Sequence, residues 1–219
     1  MITLSRRILH STIVCAVFLA ADAASAHPHV WITMKTEVIY APDGAVKGVR
    51  HAWEFDDMFS VFATQGIKSR KRGEFTSEEL MPLAQTNVES LKEFDYFTFA
   101  KVNGKKSGLA EPTDYYLDYN SKKTVLTLHF TLPFKVPVKA KDVEVSVYDP
   151  SFFVDFGFAE NKPVALTGAP NRCKLTVAGP QQMDAAMTER LGQLGADVQL
   201  DPSAWLASQF AHKISVKCP

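Results

Sequence analysis

Apolar and polar residues alternate strictly along residues 30–40 of this 219-residue chain. Ile32, Met34, Val38 and Tyr40 fall on one face and Thr33, Lys35 and Glu37 on the other, which is the period of a half-buried strand. Pro42-Asp43-Gly44 is a turn signal. Residues 46–55 return with Val49, His51, Trp53 and Phe55 on one face and Arg50, Ala52 and Glu54 on the other, predicting an antiparallel hairpin. Residues 56–72 lose the alternation and read as a helix ending in Lys68-Ser69-Arg70-Lys71-Arg72. Thr76 followed three residues later by Glu79 is a capping box that opens a helix to about Phe94, with Pro82 shifting or kinking its start. A strand at 97–102 meets Asn103-Gly104, a hairpin signal, and further strands follow at 124–132 and 143–149. After Pro163 small residues accumulate, and Gly168-Ala169-Pro170-Asn171 reads as a linker. The tail reads as strand 174–178, helix 181–194, a short helix near 203–209 and strand 212–218. Strands and helices in segregated groups predict an α+β fold rather than a parallel α/β one. It is a mostly antiparallel sheet with two or three packed helices and a small C-terminal strand-helix-strand region.

The N-terminus changes this picture. Arg6 and Arg7, the short apolar stretch Ile13 to Ala21, and Ala24-Ser25-Ala26 have the parts of a cleaved secretory leader, residues 1–26. Its apolar core is far short of the ~20 residues that span a bilayer. The expected organisation is a leader at 1–26, a main domain at 27–165 and an appendage at 166–219. Basic and acidic residues balance at 24 each, and losing Arg6, Arg7 and Asp22 leaves about −1. Such a chain has no overall electrostatic footprint for nucleic acid or an anionic membrane, and no direct membrane insertion of the mature chain is expected. Cys15 leaves with the leader, so Cys173 and Cys218 form an even pair in an exported protein, most simply a disulfide.

Cleavage after Ala26 makes His27 the mature N-terminus, placing an α-amine and two imidazoles, His27 and His29, within three residues. The amine with the His27 ring, or His27 with His29 on an extended segment, has the donors for a divalent metal. Pro28 lacks an N–H, so the amine-amide-imidazole chelate is excluded. Asp56, in Trp53-Glu54-Phe55-Asp56-Asp57, is either an oxygen ligand or imidazole partner, or a helix N-cap. Asp149, in Tyr148-Asp149-Pro150-Ser151-Phe152-Phe153, continues the apolar face of Val143, Val145 and Val147. A carboxylate there needs a metal, a histidine or backbone N–H groups, or it caps its own turn. Asp155 raises the same question more weakly. His51 reads as a core histidine, and His129 and His212 have no partner in sequence. The phosphate-loop, nucleophile-elbow, zinc-protease and paired-cysteine motifs are missing from the chain, which argues against hydrolase or nucleotide chemistry.

The leader followed by His-Pro-His-Val-Trp-Ile, the Trp-x-Phe-Asp at 53–56 and Tyr-Asp-Pro-Ser-Phe-Phe at 148–153 resemble a family of bacterial periplasmic proteins of unassigned function. Its members are described as periplasmic components of an uncharacterised transport system that accompany permeases of the nickel/cobalt/zinc type. The resemblance spans roughly residues 27 to 160. It implies a periplasmic, non-enzymatic partner of an inner-membrane metal permease, binding zinc, nickel or cobalt. The expected ligands are His27 and His29, with Asp56 and Asp149 as oxygen ligands or supporting partners. The alternative is an N-terminal-histidine copper protein, either a carrier or a copper-dependent oxidase.

Overall fold

The structure is a computed structural model that describes residues 29–180 and 208–219. The leader, His27, the helix expected at 181–194 and most of that expected at 203–209 lie outside the described residues. The chain forms β1 (Val30–Tyr40), β2 (Val46–Phe55), α1 (Asp57–Ala63) and α2 (Ser77–Leu91), then a 3-10 turn at Lys92–Phe97. It continues through β3 (Thr98–Val102), β4 (Lys105–Ser107), β5 (Thr113–Asn120), β6 (Val125–Val138) and β7 (Asp142–Val147). The last strands are β8 (Val154–Phe158), β9 (Val164–Thr167), β10 (Lys174–Ala178) and β11 (His212–Lys217). Among the described residues the strands make two sheets. One has the order β5-β6-β2-β1-β8 with β9 also on β1, and the other the order β10-β11-β7-β3-β4. The α+β, mostly antiparallel fold read from the sequence is the one observed.

The first hairpin forms as its pattern demands. Asp43 accepts the Ala45 N–H at 3.0 Å, and Gly44 takes the left-handed conformation that closes the turn. Met34 then stands opposite Trp53, and every second residue is buried along β1 and, in β2, from Val49 to Phe55. Asn103 and Gly104, both at positive φ, join β3 to β4 as the dipeptide predicts. The capping box is complete: Thr76 Oγ1 accepts from the Glu79 N–H, and Glu79 Oε2 accepts from the Thr76 N–H at 2.9 Å. That box holds the start of α2 at Ser77, and the helix runs through Pro82 with no shift of its start.

The structure differs from the sequence reading in several elements. The helix read over 56–72 stops at Ala63, because the chain turns at Gly66 with φ +79°. Strand β6 runs past Leu132 to Val138, crossing a register shift where Gly48 lies against Leu132 so closely that a Cβ would sit 2.6 Å from its carbonyl oxygen. Strands β5, β8 and β9 were not expected, and β8 and β9 run parallel to β1. In the 166–219 region, β11 pairs with β7 throughout its length, so the C-terminal hairpin is part of the second sheet.

Both sheets and α2 share one apolar core, including Met34, Trp53, Leu80, Leu128, Phe130, Val145 and Ile214. The Trp53 ring meets Phe130 and Phe156 edge-on at 4.8 and 5.0 Å. Fully buried His51 sits among them and links the sheets. Thr98 Oγ1 donates to the Tyr96 carbonyl at 2.8 Å, so it accepts from His51 Nε2–H at 3.3 Å, and His51 Nδ1 accepts from the Thr36 hydroxyl at 3.0 Å. The imidazole is neutral and fully satisfied, and burial lowers its pKa to about 3. His51 is thus the core histidine that its face in the sequence implies.

Cys173 and Cys218 are bonded, closing a loop of sequence separation 45 at the open end of the β10–β11 hairpin. Loop-closure entropy gives this bond about 4 kcal/mol, so Cys173→Ser/Cys218→Ser should lose about that much unfolding free energy in urea. Because the folded His51 pKa lies below the ordinary 6.5, the unfolded chain binds the extra proton between about 3 and 6.5. Stability should therefore fall as pH drops through that window, and His51→Gln should flatten the slope of denaturation free energy against pH by up to about 1.4 kcal/mol per unit.

Candidate functional site

Three of the four residues singled out as a metal site converge on the start of β1. The His29 and Val30 N–H groups both donate to the Phe153 carbonyl, at 2.8 and 3.3 Å. The His29 ring lies flat on the Phe153 ring, with centroids 4.6 Å apart and planes 9° from parallel. Asp56 holds the next residue: its Oδ2 accepts from the Trp31 N–H at 2.9 Å, and its own N–H donates to the Trp31 carbonyl at 2.9 Å. The other oxygen, Oδ1, caps α1 by accepting from Phe59 N–H at 2.7 Å.

Asp149 works from the opposite side. Its Oδ1 accepts from the Ser151 N–H at 2.8 Å and hydroxyl at 2.7 Å, and its Oδ2 from the Val154 N–H at 2.9 Å. Those bonds answer how a carboxylate survives on an apolar face: three donors replace its water. They also shape the loop 149–154 that presents Phe153 to His29. The two carboxylates, distant in sequence, hold the two segments between which β1 begins.

Asp149 also borders a cavity of about 90 Å³ with Asp155, His212, Phe152, Phe156 and Phe210. Burial pushes the Asp155 carboxyl up and the His212 imidazole down to about 4, so His212 is neutral at pH 7. Its ring meets Phe158 edge-on at 4.9 Å. Sequence reading left these residues apart, since they come from a loop and two strands of different sheets.

A separate trough of about 430 Å³ crosses the outer face of the first sheet, lined by Lys35, Glu54, Lys123, His129 and Glu160 among others. His129 stacks on Tyr116 at 4.5 Å and reaches Asp118 at 3.2 Å. Burial lowers its pKa despite the opposing pull of Asp118. Lys123 bridges to Glu54 at 3.3 Å. The pairing of β5 with β6 gives His129 these partners, and β5 had no signal in the sequence strong enough to supply them.

A zinc-like ion takes imidazole nitrogen and carboxylate oxygen. His29 offers the first, while Asp56 and Asp149 offer only lone pairs left after their backbone bonds. Among the described residues no three His, Cys, Asp or Glu side chains gather so as to hold a metal ion. The donors on view make up part of a site, and His27, the other expected ligand, lies outside the described residues.

Fold and site define an α+β protein whose first strand starts from a junction built by two carboxylates and a stacked imidazole. The chain belongs to a family of proteins of unknown function, DUF1007, whose profile matches residues 12–218. Over 95 residues it is 32% identical to an uncharacterized 15.5 kDa protein in the trpE 3′ region of Spirochaeta aurantia. That match covers 43% of this chain and 66% of the relative, so the chain spans just under two thirds of the relative's length. Neither match names a metal, a ligand or a transport system.

Asp149→Ala should strand the Ser151 and Val154 N–H groups and lower stability by about 3 kcal/mol, measured by urea denaturation. Asp149→Asn, which keeps one acceptor oxygen, should cost about half as much.

Proposed function

We propose that this protein is a periplasmic metal-binding accessory of a divalent-metal transport system, a non-enzymatic carrier that exchanges zinc, nickel or cobalt with an inner-membrane permease. The reading gives His27 and His29 the role of ligands. The observation that carries it is the setting of His29: Asp56 binds the backbone of Trp31, and Phe153, in the loop that Asp149 organises, accepts the His29 N–H and stacks on its ring. Backbone bonds consume the first lone pairs of both carboxylates, so their role in this reading is to fix the strand end and set the orientation of the imidazole. A site with few protein ligands at the end of a strand suits an ion that must be released.

Two further facts support the placement. The Cys173–Cys218 bond fits an oxidising, extracytoplasmic compartment. No helix among the described residues is long and apolar enough to cross a membrane.

Mature protein starting at His27, titrated calorimetrically with zinc, nickel, cobalt and copper, should bind one of the first three stoichiometrically. His27→Ala/His29→Ala should abolish that binding, and a variant that binds as wild type does would end the assignment. A preference for copper that disappears when one residue is added before His27 would replace this reading with the N-terminal-histidine copper protein.

A further inference from the structure

The cavity beside the Asp149 loop is walled by aromatic rings. Tyr148, Phe152, Phe156 and Phe210 line its volume of about 90 Å³, together with Asp155 and His212. The Phe152 and Phe210 rings meet with centroids 5.9 Å apart and planes at 65°, which sets two walls at a steep angle. Phe152 reaches that position at φ +58°, a left-handed backbone that bulky side chains rarely adopt. The Asp149 carbonyl holds the turn by accepting the Phe152 N–H at 3.1 Å. The loop that presents Phe153 to His29 thus presents Phe152 to this cavity.

The polar groups on the walls have bonding capacity left over. Asp155 is exposed, which puts it at the rim, and it has no ion-pair partner among the described residues. Desolvation raises its carboxyl, with no neighbouring cation to offset it. His212 is 7% exposed, and its ring makes no hydrogen bond among the described residues. No Lys or Arg among the described residues lines the cavity. The local field is therefore negative, because His212, whose pKa burial lowers to about 4, carries no charge at pH 7.

Those walls select among ligands. An anion would meet Asp149 and Asp155 with no cation to hold it. A wholly apolar molecule would leave the Asp155 charge desolvated and uncompensated. A zinc-type ion takes at least three side-chain ligands, and the Asp149 oxygens already serve Ser151 and Val154, leaving only Asp155 and His212. A small organic cation suits every wall: aromatic faces attract positive charge, and Asp155 neutralises it. Where about 150 Å³ accepts a six-carbon ring, about 90 Å³ accepts about four heavy atoms, such as a nitrogen and three methyl groups.

We propose that this cavity binds the methylated ammonium head of a small organic cation, with Tyr148, Phe152, Phe156 and Phe210 as its walls and Asp155 as counter-ion. His212 bonds a hydroxyl on the ligand's tail. The site shares no residue with the His27 and His29 pair and stands independently of the metal reading.

The test is calorimetric titration of the mature protein with choline, with its uncharged carbon isostere 3,3-dimethyl-1-butanol, with tetramethylammonium and with zinc. Choline should bind stoichiometrically and the isostere at least about tenfold more weakly, since shape is kept and only charge is lost. Asp155→Asn, an exposed and isosteric change, should weaken choline about tenfold, and so should Phe152→Leu, which keeps an apolar wall without the ring. His212→Leu should weaken choline more than tetramethylammonium, which has no hydroxyl. His27→Ala/His29→Ala should bind choline as wild type does, so loss of metal binding and loss of this site are read separately. Absence of choline binding, equal binding of the isostere, or full binding by Asp155→Asn would overturn the proposal. Zinc binding that survives His27→Ala/His29→Ala and is abolished by Asp155→Asn would replace it with a metal site.

Discussion

Strand β1 is held on both edges, antiparallel to β2 on one and parallel to β8 and β9 on the other, and the rest of the molecule depends on that double pairing. Because side chains alternate, a slip of one residue would carry Lys35 and Glu37 into the core and Met34 and Val38 into water. The cost of that exchange fixes the register of three neighbours together. It also places Thr36 against His51, which in turn reaches across to Thr98 in the other sheet. The inner row of β1 therefore decides the core, and the outer row carries the surface groups, Trp31 and Lys35 among them.

Much of the fold was legible because its signals are local. Alternation over ten residues located β1 and β2, a four-residue box located the start of α2, and Asn103-Gly104 located the β3–β4 turn. The missed elements lack such signals. In β5 only Leu117 is fully buried, and its outward side is Tyr116 and Asp118, as suits an edge strand that must not recruit further strands. Strands β8 and β9 are five and four residues long and owe their existence to β1, a partner more than a hundred residues away. The overlong first helix has a simpler cause: sequence shows no hydrophobic contradiction between Thr64 and Arg72, and only the left-handed Gly66 ends it.

The site divides the same way. That Asp56 caps a helix and that Asp149 organises its own loop were both among the readings open from sequence, because each bond closes within five residues. That both structures end beside His29 was not legible, since it requires the parallel pairing of β8 with β1. The partners of His51 and His129 were hidden for a related reason. Each lies on a strand that only the sheet order brings near. A short-range rule tells what a residue does to its own backbone, and the topology tells what it does to others.

The Cys173–Cys218 bond has a consequence of a different kind. It makes residues 173–218 a covalent ring, and one side of that ring, β11, is stitched along its length to β7. A single proteolytic cut anywhere inside the ring opens a circle and releases nothing. Both new ends stay tethered to the body of the protein, one through the peptide chain and the other through sulfur. The C-terminal hairpin can thus be nicked within the ring and still keep its place in the sheet.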